Sequence, residues 1–336
     1  MKKPLVLHFG GFAASGGSAI RDLLKEFEDI FIFPSEFRLL KEKNGLLDLE
    51  ASIFSSRSPD NIDLAIRDFK ELNSHLGRIT TKFSRKGFDY NLYTDNQYKD
   101  LINKFIQKIT DYKYKMFTHN YDFRKSSLKS QFDRYMARVF GYSFLEEESY
   151  MAYPSFEEFN MYAKELLYGI FHSSTLKYKV EPKVIALHNC INHFRIETIL
   201  KSSSYFYEFK MLIIDRDPRD IFIDFPHKRY LPSELNLLEK SKCFVKFFLS
   251  MRDELEEIKK LDNILFIKFE DLILNYEFTK DKIIKFLNID KKKVDLNKRT
   301  FLPHKSSKNI GLYKSLDRKY YKAIEYIEEN LKDYLY

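Results

Sequence analysis

A short apolar run, Leu5-Val-Leu-His-Phe9, passes directly into Gly10-Gly-Phe-Ala-Ala-Ser-Gly-Gly-Ser18, and a helical pattern with Ile20, Leu23, Leu24 and Phe27 on one face follows. A strand that enters a glycine-rich turn and leaves it as a helix constrains the fold most, because it builds a βα unit whose loop sits at the C-terminal end of a parallel sheet. Small residues let backbone N–H groups converge on one anion, and the helix N-terminus adds its dipole. The spacing Gly11…Gly16-Gly17-Ser18 fits the G-x-x-x-x-G-K-[ST] frame, with Gly17 where the lysine stands. Without that lysine the loop lacks the cation that holds β- and γ-phosphates, so hydrolysis of ATP or GTP is not expected. The alternative for such a segment is a plain Gly/Ser turn, and its place between strand and helix favours the phosphate cradle.

The remaining pattern extends this unit. A second strand, Ile30-Phe-Ile-Phe33, is expected to stop at Pro34, and Ser58-Pro-Asp opens a helix that ends at Gly77. Helix is also expected from about Gln97 to Tyr112, and Ser155-Phe-Glu-Glu158 is a capping box for a helix running to about Phe171. After Pro182, strands at Val184–Leu187, Met211–Ile214 and Ile264–Phe269 alternate with helices. These helices include a long one from Ser233 to about Lys260, one at Thr279–Leu287, and a C-terminal one from about Leu316. Strands alternating with helices at both ends of the chain predict an α/β fold with a central parallel sheet covered on both faces. The expectation is a single domain, 1–336, of three-layer, P-loop-like architecture, with a basic helical insertion at about residues 60–180.

Composition narrows the partners. Of 336 residues, 44% are hydrophobic and 32% charged, which excludes a disordered chain, and the clean apolar runs, such as Ile264–Ile267, are strand-sized. Cys190 and Cys243 make neither a disulfide framework nor a zinc cluster. The opening MKKPLVLHFGGF is broken too early by glycines for a secretory signal, so a cytoplasmic location is expected. The net charge is +8, and the stretch from Arg78 to Phe140, with 14 Lys/Arg against 6 Asp/Glu, carries all of it. Basic and aromatic residues interleave there, as in Tyr112-Lys-Tyr-Lys-Met-Phe117, which suits an acidic or sugar-like ligand. The plainer account is a solvated face over a Tyr- and Phe-rich core. Glu146-Glu-Glu148 reads as a solvated turn, and His119, His172 and His193 lack metal-ligand spacing.

The glycine loop without its lysine resembles the 5′-phosphosulfate loop of the sulfotransferase family, whose members transfer sulfuryl groups from 3′-phosphoadenosine 5′-phosphosulfate (PAPS). The likeness continues along the chain. Ile214-Asp-Arg-Asp-Pro-Arg-Asp-Ile-Phe222 resembles that family's 3′-phosphate motif, a strand followed by R-x-P-x-D. Ile267-Lys-Phe-Glu-Asp-Leu272 is similar to its late strand and Y-E-D-L turn, and Phe301–Lys314 to its C-terminal cofactor loop, with Gly-x-Tyr in place of Gly-x-Trp. The resemblance implies PAPS as co-substrate, adenosine 3′,5′-bisphosphate as product, and no metal. It places the donor on Gly11, Phe12, Ala13, Ala14, Ser15, Gly16, Gly17, Ser18 and Ala19, with Arg216, Asp224, Lys305, Lys308, Asn309 and Gly311 around the 3′-phosphate.

Two positions depart from the family pattern. Ala14 stands where a Lys or Arg usually precedes Ser-Gly, and Asp224 stands where a serine normally contacts the 3′-phosphate. A carboxylate repels a phosphate dianion unless it points away or meets a cation. Arg38, Lys183, Lys305 and Lys308 are candidates for the missing charge. His188, at the end of the Val184–Leu187 strand, resembles the catalytic histidine of the small-molecule branch, and Glu36 the base glutamate of the carbohydrate branch. Both are candidate bases, with Asn189 and Asn192 as candidates to orient an acceptor. The reaction implied is in-line sulfuryl transfer to a hydroxyl of a saccharide or glycoconjugate, with the basic insertion lining the acceptor cleft and neither nucleic acid nor membrane insertion expected. Two alternatives stand beside it. One keeps the fold with another 3′-phosphonucleotide donor, for example in phosphoramidate transfer to a capsular sugar. The other is a non-catalytic binder of polyanions or nucleotides.

Overall fold

The computed structural model describes residues 3–56, 58–81, 87–116, 125–141, 147–225, 231–290 and 300–336. Phe117, His119 and Glu146 lie outside the described residues. The chain divides into two compact units, Met1–Phe37 with Val180–Tyr336, and Arg38–Lys179.

The first unit holds strands β1 (Leu5–Gly11) and β2 (Ile30–Glu36). In the second unit, β3 (Tyr112–Met116) and β4 (Glu147–Met151) pair antiparallel. The first unit resumes with β5 (Val184–His188), β6 (Phe209–Asp215) and β7 (Ile264–Lys268). Its five strands form one parallel sheet in the order β2-β5-β1-β6-β7. Every residue from Leu5 to Phe9 is buried, so both faces of β1 are covered, as an α/β sheet requires. On one face, Leu7, Phe9 and Leu212 join a core with Ile20, Leu23, Ile283 and Leu287 from the helices Gly17–Leu24 and Tyr276–Leu287. A second core gathers Phe12, Phe222, Phe244, Phe248 and Ile327 from the glycine loop and three further helices. The α/β, P-loop-like class expected from the sequence is the one found.

Pro34 does not end its strand. β2 is an edge strand whose register with β5 shifts between Ile32 and Glu36, and the proline falls inside that irregularity. A missing N–H is tolerated at an edge and at a bulge. The consequence is functional: the shifted register sets Glu36 directly opposite His188.

The long helix expected from Ser233 to Lys260 is interrupted. It runs from Leu237 to Ser250, and a short turn of helix follows at Leu255–Ile258. Between them Arg252, 4% exposed, turns inward to the Asp215 carboxylate at 2.6 Å, with Phe248 under its guanidinium. Glu254 accepts from the Ile196 amide at 2.7 Å, satisfying the first turn of the Ile196–Ser204 helix. The C-terminal helix begins at Tyr321, later than expected, after short 3₁₀ turns.

Glu26 ties three segments of the first unit together. Its buried carboxylate accepts from Tyr276 Oη at 2.9 Å, Lys280 Nζ at 3.0 Å and the Phe301 amide at 3.0 Å. Glu26→Ala strands the buried Lys280 cation and frees the start of the C-terminal loop. It should therefore cost about 3–5 kcal/mol in urea unfolding. A loss below about 1 kcal/mol, as for a surface pair, would contradict this assignment.

In the second unit, helices Pro59–Gly77, Tyr98–Ile109 and Phe156–Tyr178 dominate, and both halves of the Ser155/Glu158 capping box are formed. The Gln97 helix stops at Ile109 because Tyr112-Lys-Tyr-Lys alternates at strand period and pairs with β4. Glu147 and Glu148, expected in a turn, lie in β4 and pair with Arg67, Lys70, Lys113 and Lys125. The hydrogen bond from Lys113, with one from Tyr150, holds the Glu148 carboxyl down to about 2.

Candidate active site

The glycine loop leaves β1 beside β6. A Cβ on Gly11 would stand 2.1 Å from the Ile214 carbonyl oxygen, so the loop touches the neighbouring strand backbone at a point only glycine allows. Gly16 caps the following helix at φ 111°, with the Phe269 ring 2.5 Å from where its Cβ would be. Ala14 also has positive φ, 67°, which is costly outside glycine, and its carbonyl accepts from Arg216 Nη1 at 2.9 Å. The arginine thus anchors a strained turn.

A pocket of about 590 Å³ opens over this loop, lined by Gly11–Ala14, Gly16–Ser18, Glu36, His188, Asn189, Asp224 and Asn309. The side chain of Phe12 itself points into the phenylalanine core, leaving backbone at the pocket. Ser15 is buried, and among the described residues its Oγ meets no hydrogen-bond partner. Among the described residues, two carboxylates line this pocket and no Lys or Arg does. A smaller pocket of about 320 Å³ shares Gly16, Ser18 and Asn309 and adds Ala19, Arg216, Phe269, Thr300 and Lys305.

The two candidate bases meet at the sheet end. His188 Nδ1 lies 3.9 Å from Glu36 Oε1, and Nε2 lies 3.1 Å from the position of a Gly17 Cβ. The imidazole stacks on Phe9 at 5.0 Å, and Asn189 Nδ2 donates to Glu36 Oε1 at 3.3 Å. One ring nitrogen of the histidine therefore faces a carboxylate and the other the glycine loop. Asn192 is elsewhere: it is exposed and its Oδ1 accepts from the Phe194 amide. Behind the loop, buried His8 bridges Cys190 Sγ and His193 Nδ1, each at 3.2 Å.

Arg216 is 3% exposed and links three segments. Besides Ala14 it donates to Asp224 Oδ2 at 2.6 Å and to the Asn309 carbonyl at 2.6 Å, with Phe269 5.2 Å from its guanidinium carbon. Asp224 thus meets a cation, and that cation is the one the sequence assigns to a phosphate. Of the proposed replacement charges, Lys305 shares the smaller pocket with Arg216. Lys308 is exposed and lines neither pocket. Lys183 sits at the opposite end of β5, paired with Asp29 at 3.1 Å. Arg38 belongs to the other unit, where it pairs with Glu42 at 2.7 Å.

Carboxylates that sequence reading left without a role stitch the motifs together. Asp220, the last residue of R-x-P-x-D, accepts from the Gly311 and Tyr313 amides at 2.7 and 3.3 Å. Gly311 N–H is therefore spent within the protein. Burial raises the Asp220 carboxyl above its ordinary range, against the pull of those amides and Arg216. Glu270, of Phe269-Glu-Asp, accepts from the Asp217 amide at 3.0 Å, and burial raises it likewise. The fixed spacing of both acids within their motifs was the available signal.

No known family matches the chain by sequence, and no curated relative does. Solved structures do. The sulfotransferase domain of the olefin synthase of Synechococcus PCC 7002 superposes with TM-score 0.47 at 13% identity, over 97% of this chain and 94% of that one. The sulfotransferase domain from the curacin biosynthetic pathway gives 0.47 at 11%, over 98% of each chain. Sulfotransferase STF9 from Mycobacterium avium gives 0.43 at 13%, over 99% and 76%. What the pocket can do follows from its own residues.

Proposed function

We propose that this chain is a sulfotransferase-type enzyme that moves a sulfuryl group from PAPS to a hydroxyl of a saccharide or glycoconjugate. The observation that carries the reading is the alignment of Glu36, His188 and the glycine loop, with imidazole Nε2 directed at Gly17 and the carboxylate behind Nδ1. In this reaction the acceptor oxygen forms a bond to sulfur while the bond from sulfur to the bridging oxygen of the 5′-phosphate breaks. His188 Nε2 takes the acceptor proton, and Glu36 stabilises the resulting imidazolium across 3.9 Å. The loop amides receive charge on the departing phosphate oxygen, and the helix N-terminus reinforces them. Lys305, beside Arg216, supports the 3′ end of the nucleotide.

Assay with PAPS and an oligosaccharide acceptor tests the reading, by whether adenosine 3′,5′-bisphosphate is released in step with acceptor sulfation. A second reading, another 3′-phosphonucleotide donor, is favoured because, among the described residues, the larger pocket is lined by Glu36 and Asp224 and by no Lys or Arg. Stronger binding of cytidine than of adenosine 3′,5′-bisphosphate would select it.

Asp224 supplies a separate prediction. It competes with any 3′-phosphate for the Arg216 guanidinium, so Asp224→Ser should free the one Nη1 bond it takes and remove a repulsive charge. Affinity for adenosine 3′,5′-bisphosphate should rise about tenfold, equivalent to about 1.4 kcal/mol. Weaker binding in the serine variant would mean that Asp224 contacts the nucleotide favourably.

A further inference from the structure

In the second unit, the Ser127–Phe140 helix wears its apolar side outward. Ser126 caps it, accepting from the Lys129 amide at 3.3 Å. Leu128, Phe132, Tyr135 and Val139 follow at spacings of four, three and four, so they form a single stripe along the helix. These residues are 78%, 58%, 62% and 57% exposed. The opposite side carries Ala137, 4% exposed, and Asp133, which pairs with Lys125 at 2.8 Å with both side chains 14% exposed. A helix of a soluble surface has the reverse arrangement, with the stripe in the core.

Charge identifies what the stripe meets. Lys129 and Arg138 are exposed on the helix and, at helical spacing, flank the stripe on its two edges. Asp133, the only carboxylate on the helix, is turned away from it. The same region carries the whole +8 of the chain. A second copy of this face would oppose cations with cations, whereas a negatively charged lipid surface complements both the stripe and its rim. Among the described residues no helix is long and apolar enough to cross a membrane. We propose that the Ser127–Phe140 helix is an interfacial anchor that lies on an anionic lipid surface, its stripe at the headgroup–acyl boundary and its cations at lipid phosphates.

Sedimentation of the full chain with vesicles tests this. The protein should pellet with phosphatidylcholine vesicles containing phosphatidylglycerol and stay in solution with phosphatidylcholine alone. Leu128→Ser with Phe132→Ser should lower partitioning by at least about tenfold. The chain contains no tryptophan, so Tyr135→Trp is a single reporter within an otherwise unchanged sequence. Its emission should shift to the blue with anionic vesicles and return in high salt. That readout decides the matter even if the double variant folds poorly. No pelleting with anionic vesicles, equal pelleting of a folded double variant, or an unshifted reporter would overturn the proposal. So would a dimer in solution that the double variant dissociates.

Discussion

His188→Gln should lower kcat by about 10²- to 10⁴-fold, the usual contribution of a positioned general base, while leaving the KM for the donor nearly unchanged. Glutamine keeps much of the side-chain volume between Phe9 and the loop, so the loss reports chemistry more than packing. Glu36 touches the reaction through the histidine: it faces Nδ1, and Asn189 fixes its orientation. Glu36→Gln should therefore cost less than His188→Gln, and the double variant little more than His188→Gln alone, because the pair acts as a unit. The reverse order, with kcat abolished by Glu36→Gln and preserved in His188→Gln, would make Glu36 the base. Initial rates at saturating donor separate the two.

Arg216→Ala should weaken nucleotide binding by about 10²-fold or more, because truncating one partner of a buried charged pair costs about 2–5 kcal/mol. Three bonds disappear together: to the Ala14 carbonyl, to Asp224 and to the Asn309 carbonyl. The first holds a residue at positive φ, so the loop that should cradle the 5′-phosphate loses its support. The last ties the C-terminal segment to the same point. Arg216→Lys keeps the charge but cannot span these acceptors with one ammonium group, so it should recover only part of the affinity. Calorimetric titration of the three proteins with adenosine 3′,5′-bisphosphate checks the series. Equal affinity in wild type and Arg216→Ala would contradict the role assigned to the guanidinium.

The parallel sheet was readable because β1, β5 and β6 are largely buried and appear as short, mostly apolar runs. The glycine loop was readable because its residues are demanded by backbone approach, as at Gly11 against Ile214. Convergence of Glu36 with His188 was not, since it depends on a register shift across Pro34 that no local pattern encodes. The capture of Arg216 by Asp224 joins residues eight apart, but whether such a carboxylate turns toward the arginine is settled by tertiary packing. Periodicity alone marks Tyr112–Met116, where alternation of Tyr and Lys signals a strand inside a basic, mainly helical region. Arg252 broke the long helix for a reason visible only in three dimensions, its pairing with Asp215.

Binding of adenosine 3′,5′-bisphosphate on the glycine loop and Arg216 underlies the assignments above. Its most direct test is titration of the wild-type protein with adenosine 3′,5′-bisphosphate, with adenosine 5′-monophosphate as the control that lacks the 3′-phosphate. Saturable binding of the bisphosphate, stronger than that of the monophosphate, is expected. Absence of binding, or equal binding of the two nucleotides, would contradict it.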